Sequence, residues 1–170
     1  MKTFCLTGLL LLAAAAFMQP QAHSQSKPVS VDIKNSEGQS IGTATLTPAP
    51  QGVKIKLDIK DLPPGQHSIH IHQVGKCDAP DFKSAGPHFG AAGAGHEHAA
   101  PAGDIPNFSL IVAPDHTAHV SVVAPNVTLG SGDNSVFSNG GTSIVIHAVT
   151  DTSAAAAPAR IACGVIVKPE

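Results

Sequence analysis

Residues 65–104 read GQHSIHIHQVGKCDAPDFKSAGPHFGAAGAGHEHAAPAGD and hold six of the chain's ten histidines. Near its start, in SIHIHQV, polar and apolar residues alternate, which is the pattern of a half-buried β-strand. Ile69 and Ile71 then point to one face of the strand, and His70 and His72 point to the other. Two imidazoles projecting side by side from a rigid strand are suited to binding copper or zinc.

An isolated pair of this kind is more often a pair of exposed histidines on an amphipathic strand. Further histidines favour a metal site here: His88 lies in SAGPHFG, and His96 and His98 precede Asp104 in a loop of Gly, Ala and Pro. Such a loop lacks the apolar bulk to order itself, so a metal or a disulfide is expected to organise it. His147 ends the apolar segment TSIVIHAV, and alternation allows it to reach the same face from a neighbouring strand.

The same period-two alternation extends in both directions from this stretch. Before it come VSVDIK, IGTATLTP and VKIKLDIK, and after it come FSLIV, TAHVSVV, TSIVIHAV and RIACGVIVK. With the histidine strand these segments predict eight short strands joined by Gly- and Pro-rich turns, and none shows helical periodicity. The sequence therefore predicts an all-β sandwich or barrel formed by a single domain.

Residues 1–24 have the pattern of a secretory signal. Lys2 supplies the charged start, LTGLLLLAAAAFM the apolar core, and Ala22 to Ser24 a small-residue cleavage site. The apolar run is too short for a membrane span. We therefore expect an exported chain, periplasmic or extracellular, whose mature domain of residues 25–170 has no membrane anchor.

Charge and cysteine content narrow the class of protein further. After loss of Lys2 the mature chain has nine basic and twelve acidic residues, a net charge of −3, which argues against nucleic-acid binding. Two cysteines remain, Cys77 and Cys163, and an even pair in an exported protein indicates one disulfide. The few aromatic residues leave no recognisable subunit interface, so an oligomer stays possible.

Five ordered segments resemble a known family. GQHSIHIHQVGKC, DFKSAGPHFG, AGDIPN, IVIHAVTD and ARIACGVI are similar to the successive signatures of the copper/zinc superoxide dismutases, in particular their exported bacterial branch. The resemblance runs from about Val29 to Val167. It implies a flattened eight-stranded Greek-key barrel with long metal-site loops and the metal on its outer face.

The resemblance also implies a role for individual residues on the copper side. His70, His72 and His147 match copper ligands, and His88 matches the ligand that bridges copper to zinc. Arg160, the chain's only arginine, matches the guanidinium that guides the anionic substrate. Cys77 and Cys163 match the two cysteines of the family's internal disulfide.

The zinc side departs from the family pattern. His96 and Asp104 match zinc ligands, but Pro101 stands where the family has a further zinc histidine, and proline cannot bind zinc. His98 is a possible substitute. Asp151 matches the carboxylate that orients ligands of both metals, within a segment, TDTSAAAAPA, that is shorter than the family's charged loop. Both departures resemble the copper-only relatives, so zinc is expected to bind weakly or not at all.

The function implied is dismutation of superoxide to dioxygen and hydrogen peroxide at a histidine-bound copper. An alternative from another class is a non-catalytic, superoxide dismutase-like protein that binds or stores copper. A third is a metal-free adhesion or matrix sandwich, which the four copper histidines argue against. Metal analysis combined with an activity assay separates the three.

The remaining histidines and nearby lysines have plainer interpretations. His67 is expected to be a buried structural residue beneath the strand. His116 and His119 alternate out of register with the site and are expected on the surface. Lys76 and Lys83 lie near the site in sequence, where solvated charge is the usual state.

Overall fold

The computed structural model describes residues 27–90, 100–106, 108–149 and 158–170. The predicted signal, residues 1–24, lies outside the described residues. The described chain forms nine strand segments and two short 3-10 turns, at Lys83–Ala85 and Ser138–Gly140. The strands are β1 (Val29–Asn35), β2 (Ser40–Ala49), β3 (Gly52–Ile59), β4 (Gly65–His67), β5 (Ile69–His72), β6 (Leu110–Val112), β7 (Ala118–Ala124), β8 (Thr142–His147) and β9 (Arg160–Ile166).

Seven of these strands form one antiparallel sheet, in the order β5-β8-β9-β1-β2-β3-β7, and β4 pairs with β6. β4 continues into β5 at one edge of the large sheet after an interruption at Ser68 alone. β6 leads into β7 at the opposite edge through a tight turn, in which Ala113 N donates to Thr117 O. The β4–β6 pair therefore joins the two edges and closes the sheet into the flattened Greek-key barrel that was expected.

The barrel closes because alternation gives each strand one apolar face. In β3, for example, Val53, Ile55, Leu57 and Ile59 are buried while the lysines between them are exposed. β1 and β2 repeat the pattern, and their inward side chains join the same core. Full burial of each such side chain contributes about 1.5–3 kcal/mol, before the entropic cost of ordering the chain is subtracted.

Two details differ from the strands expected from the sequence. The predicted histidine strand is divided at Ser68, which gives nine segments instead of eight. The segment FSLIV forms a strand only at Leu110–Val112, where it pairs with β4. Both differences arise where the chain passes between the two sheets, a change of direction that alternation does not encode.

The loop after β5 has a small core of its own. Phe82 and Ala85 pack with Val145 of β8 and with Cys163 of β9, and Cys77 covers this cluster. The predicted disulfide is present between Cys77 and Cys163, whose Cα atoms are 5.7 Å apart. It ties the loop to the last strand and so holds the loop's backbone against the sheet edge that carries the histidines.

Within the described ranges, no helix is both long and apolar enough to cross a membrane.

Candidate metal centre

Four histidines converge at one edge of the large sheet. His70 and His72 come from β5, His147 from the end of β8, and His88 from the loop, where it forms an isolated antiparallel bridge with His72. One ring nitrogen of each lies within 4.8 Å of the corresponding nitrogen of the others. The structure thus brings together the four residues that the sequence analysis matched to copper ligands.

The strand register explains how distant residues meet. β5 and β8 pair with Ile69 opposite Ile146, so the histidine that follows Ile146 lies beside the His70 face. Between β8 and β9 the register shifts after Ile146. Ile146 pairs with Ala162, but His147 pairs with Arg160, so Ile161 between them is skipped. This irregularity places Arg160 directly across from His147.

His72 is fully buried and neutral. The pKa of His72 is lowered to about 3, mainly by burial and also by the nearby His88, Arg160 and His147, against the raising effect of the hydrogen bond to Gly86. Neutral imidazole is the form that binds metals. The protein therefore keeps this side chain ready to act as a ligand at any ordinary pH.

Hydrogen bonds to backbone carbonyls orient two of the rings. His72 Nδ1 donates to Gly86 O at 2.9 Å, and His147 Nδ1 donates to Pro158 O at 3.1 Å. With the proton on Nδ1, Nε2 of each neutral ring carries a lone pair. The two Nε2 atoms lie 3.4 Å apart, and a cation is the group that such a pair of lone pairs accommodates.

Asp104 approaches the fourth histidine. Its Oδ1 lies 2.7 Å from Nδ1 of His88, and both side chains keep about 30% of their surface exposed (28% for His88 and 30% for Asp104). The ring of His88 lies close to those of His70 and His72, tilted to the first and edge-on to the second, at centroid distances of 4.2 and 4.8 Å. Asp104 thus binds one side of the His88 ring while the rest of the ring faces the other histidines.

Arg160 is held by the loop opposite. Nη1 donates to Phe82 O at 2.7 Å and Nη2 donates to Gly86 O at 2.8 Å. Partial burial lowers the pKa of the guanidinium, but its ordinary value is so high that the side chain stays charged at neutral pH. The site therefore contains one fixed positive charge, that of Arg160, beside four imidazole side chains that can bind a metal in their neutral form.

The other histidines occupy the positions expected for them. His67 is buried at 2% exposure, and its two ring nitrogens lie 2.9 Å from His147 O and 2.8 Å from Pro63 O. It supports the backbone of His147 from beneath the strand. His116 and His119 are exposed, as predicted.

Three candidates from the sequence analysis lie outside the described residues: His96, His98 and Asp151. Of the zinc-side residues, the structure therefore shows His88, Asp104 and the substituted Pro101. The described ranges thus supply two candidate zinc ligands, His88 and Asp104, of the four that a tetrahedral site uses.

The backbone acceptors of the site were missed by sequence reasoning. The carbonyls of Phe82, Gly86 and Pro158 orient Arg160, His72 and His147, yet any residue type offers a carbonyl. A weak signal was present in SAGPH, since glycine and proline together restrict the backbone before His88.

The donor set fits copper. Imidazole is a ligand that suits copper, and the four groups that converge here are all imidazoles. The neutral state of His72 and the facing Nε2 atoms of His72 and His147 support the same conclusion.

Comparison with known proteins agrees with this chemistry. The family model for copper/zinc superoxide dismutase (SODC) matches residues 40–166. The chain is 42% identical over 172 residues to superoxide dismutase [Cu-Zn] 2 of Aquifex aeolicus, with 95% of each chain covered. It is 39% identical to superoxide dismutase [Cu-Zn] of Caulobacter vibrioides, over 79% of this chain and 82% of that protein.

A solved structure has the same architecture. The crystal structure of a SOD-like protein from Bacillus subtilis superposes with a TM-score of 0.69 at 29% identity, covering 81% of this chain and 97% of that one.

Proposed function

The chain belongs to the copper/zinc superoxide dismutase family and dismutates superoxide at a histidine-bound copper, and we propose that the ligands of this copper are His70, His72, His88 and His147. The observation that carries the proposal is the convergence of four ring nitrogens within 4.8 Å. Three of the four side chains are supplied by strands, which hold ligand directions more rigidly than loops do.

Bound copper would supply the one-electron redox chemistry for both half-reactions, the oxidation of one superoxide to dioxygen and the reduction of another to hydrogen peroxide with uptake of two protons. The protein supplies position, charge and proton transfer. His72 and His147 are kept in the Nδ1-protonated tautomer by their carbonyl partners, so that Nε2 of each faces the site.

We assign proton delivery to His88. Its Nδ1–H donates to Asp104, so Nε2 of the neutral ring carries the lone pair that faces the other copper ligands. When Nε2 is not bound to metal, it can take up a proton and pass that proton to the departing peroxide. Arg160 attracts and orients the superoxide anion, because it is a cation fixed beside the histidines by two carbonyl groups. The strand register places Arg160 opposite His147, and the carbonyl groups of the loop fix its guanidinium.

The residues of this chain support a zinc site less well than a copper site. His88 and Asp104 are in contact, but Pro101 occupies the place of a further zinc ligand. We therefore assign no step to zinc and propose that it binds weakly or not at all, through His88, His96 and Asp104, with His98 as a possible substitute for the histidine that Pro101 replaces.

We also propose that the chain is exported and that its mature form comprises residues 25–170. The signal-like composition of residues 1–24 and the disulfide between Cys77 and Cys163 support an oxidising compartment, periplasmic or extracellular.

One experiment tests the assignment of the site. The mature protein is loaded with copper, its metal content is measured, and its electron paramagnetic resonance spectrum and dismutation rate are recorded. We expect one copper with nitrogen ligands and rapid turnover. Copper without turnover would favour a storage protein, and failure to bind copper would overturn the proposed ligand set.

A further inference from the structure

Asp104 contacts a ligand of the proposed copper site, and the role assigned to it below rests on that proposed function. The family uses this position as a zinc ligand, but the zinc side of this chain is depleted by Pro101. In the part of the chain that the structure describes, the Asp104 carboxylate contacts His88 directly, with 2.7 Å between Oδ1 and Nδ1.

The position of Asp104 is set by the strand that carries the copper histidines. Gly103, immediately before it, accepts from Ile71 N through its carbonyl and donates to Phe89 O, each at 2.9 Å. Ile71 is the residue between His70 and His72, and Phe89 follows His88. The backbone at Asp104 is therefore tied to both segments that supply ligands.

This close approach depends on glycine. A Cβ at Gly103 would lie 2.0 Å from Ile71 O and 3.0 Å from Phe89 Cβ. Asp104 N also donates to Pro101 O at 3.1 Å, so Pro101 closes the turn that presents the carboxylate. The residue that removes a zinc ligand thus contributes to holding Asp104 in place.

The contact between Asp104 and His88 determines which ring nitrogen of His88 carries the proton. A carboxylate accepts hydrogen bonds, so Asp104 Oδ1 accepts from Nδ1–H of His88. The proton on Nδ1 leaves the lone pair of the neutral ring on Nε2. A carboxylate in this position also makes the ring a better ligand, as in the carboxylate–histidine–metal arrangement.

We propose that Asp104 is a positioning residue for the copper site: its carboxylate, in the absence of zinc, holds His88 in the Nδ1-protonated tautomer and directs Nε2 toward the copper ligands. Asp104 acts through His88 and does not contact copper itself. Zinc would then be dispensable for the orientation of the fourth histidine.

The first test uses the metal-free mature protein. Long-range proton–nitrogen correlation spectra of the histidine side chains report which ring nitrogen carries the proton. We expect the Nδ1–H tautomer for His88 in the wild type and in D104N, since the amide oxygen still accepts. D104A should lose this preference. A wild-type His88 protonated on Nε2, or an unchanged tautomer in D104A, would overturn the proposal.

The second test measures copper affinity with zinc excluded. D104A should bind copper about 10- to 100-fold more weakly than the wild type, and its paramagnetic spectrum should change. D104N should recover part of the affinity. D133A removes the same charge from an exposed loop and should match the wild type.

The two proposals fail in distinguishable ways. If the wild type binds no copper through nitrogen ligands, the proposed site is wrong. If it binds copper normally and D104A matches it in affinity and spectrum, only the role of Asp104 is wrong. Stoichiometric zinc bound to His88 Nδ1 in the wild type would likewise overturn the role of Asp104.

Discussion

His72 and Arg160 donate to the same acceptor, the carbonyl oxygen of Gly86, at 2.9 and 2.8 Å. One backbone group therefore orients both a copper histidine and the cation that attracts the substrate. The loop that supplies this carbonyl is tied to β9 by the disulfide between Cys77 and Cys163. Ligand geometry and substrate guidance thus depend on the same short stretch of backbone.

Arg160→Ala should lower the second-order rate with superoxide by about tenfold, the lower end of the range for electrostatic steering. Copper content should not change, because the guanidinium is not a ligand and His72 keeps its own bond to Gly86. Pulse radiolysis across ionic strength measures the rate, and metal analysis measures the copper content. The wild-type rate should fall only gently with salt, since one nearby charge is screened less than many distant ones.

Lys83→Ala is the control for this prediction. Lys83 is exposed and paired with Asp81 at 2.7 Å, so its loss should leave the rate nearly unchanged. A wild-type rate in Arg160→Ala would exclude the guiding role, and a steep salt dependence would show that other groups steer the anion.

His147→Ala should abolish dismutation and weaken copper binding by more than about 100-fold, since loss of groups that only support a ligand already costs about 10- to 100-fold. His119→Ala is the matched control, because His119 is exposed and contacts only Asp58 at 3.1 Å among the described ion pairs. Copper titration and activity are measured on both variants. Full activity in His147→Ala would contradict the ligand assignment.

Replacing Cys77 and Cys163 by serine should lower the free energy of unfolding by about 3 to 5 kcal/mol in the chain-entropy account of disulfides. The loop closed by this bond spans 86 positions of sequence. Denaturant unfolding of the oxidised mature protein and of the double variant gives the difference. A thiol assay on the folded wild type should find no reactive sulfhydryl, and two would refute the pairing in solution.

Gly103→Ala should destabilise the protein by about 3 kcal/mol, the upper end for overpacking, because the added methyl would lie 2.0 Å from Ile71 O. It should also weaken copper binding, since Ile71 separates His70 and His72. Gly130→Ala is the control, since its nearest contact would be Thr128 Oγ1 at 3.3 Å. Equal unfolding free energies for the two variants would show that the turn before Asp104 adapts.

Dialysis against a mild chelator should remove zinc before copper, because Pro101 leaves the zinc side short of a ligand. Metal content is followed during dialysis in the wild type and in His98→Ala. Chelator-resistant, stoichiometric zinc that depends on His98 would show instead that the loop has rebuilt a closed zinc site.

Alternation along the chain was enough to predict most strands and which face each residue occupies. In a strand the direction of a side chain is decided by local backbone geometry, and a shift of one residue would bury lysines and expose isoleucines. A few consecutive residues are therefore enough to place His70 and His72 on one face of the strand and to bury Ile69 and Ile71 on the other.

Only the tertiary structure decided what orients those histidines. Gly86 and Arg160 are 74 positions apart, and His67 lies 80 positions from the carbonyl of His147 that it contacts. The acceptors are backbone carbonyls, which every residue carries, and the register shift after Ile146 that sets Arg160 opposite His147 leaves no local pattern. Such contacts depend on how the barrel closes, and the carboxylate of Asp104 meets His88 for the same reason.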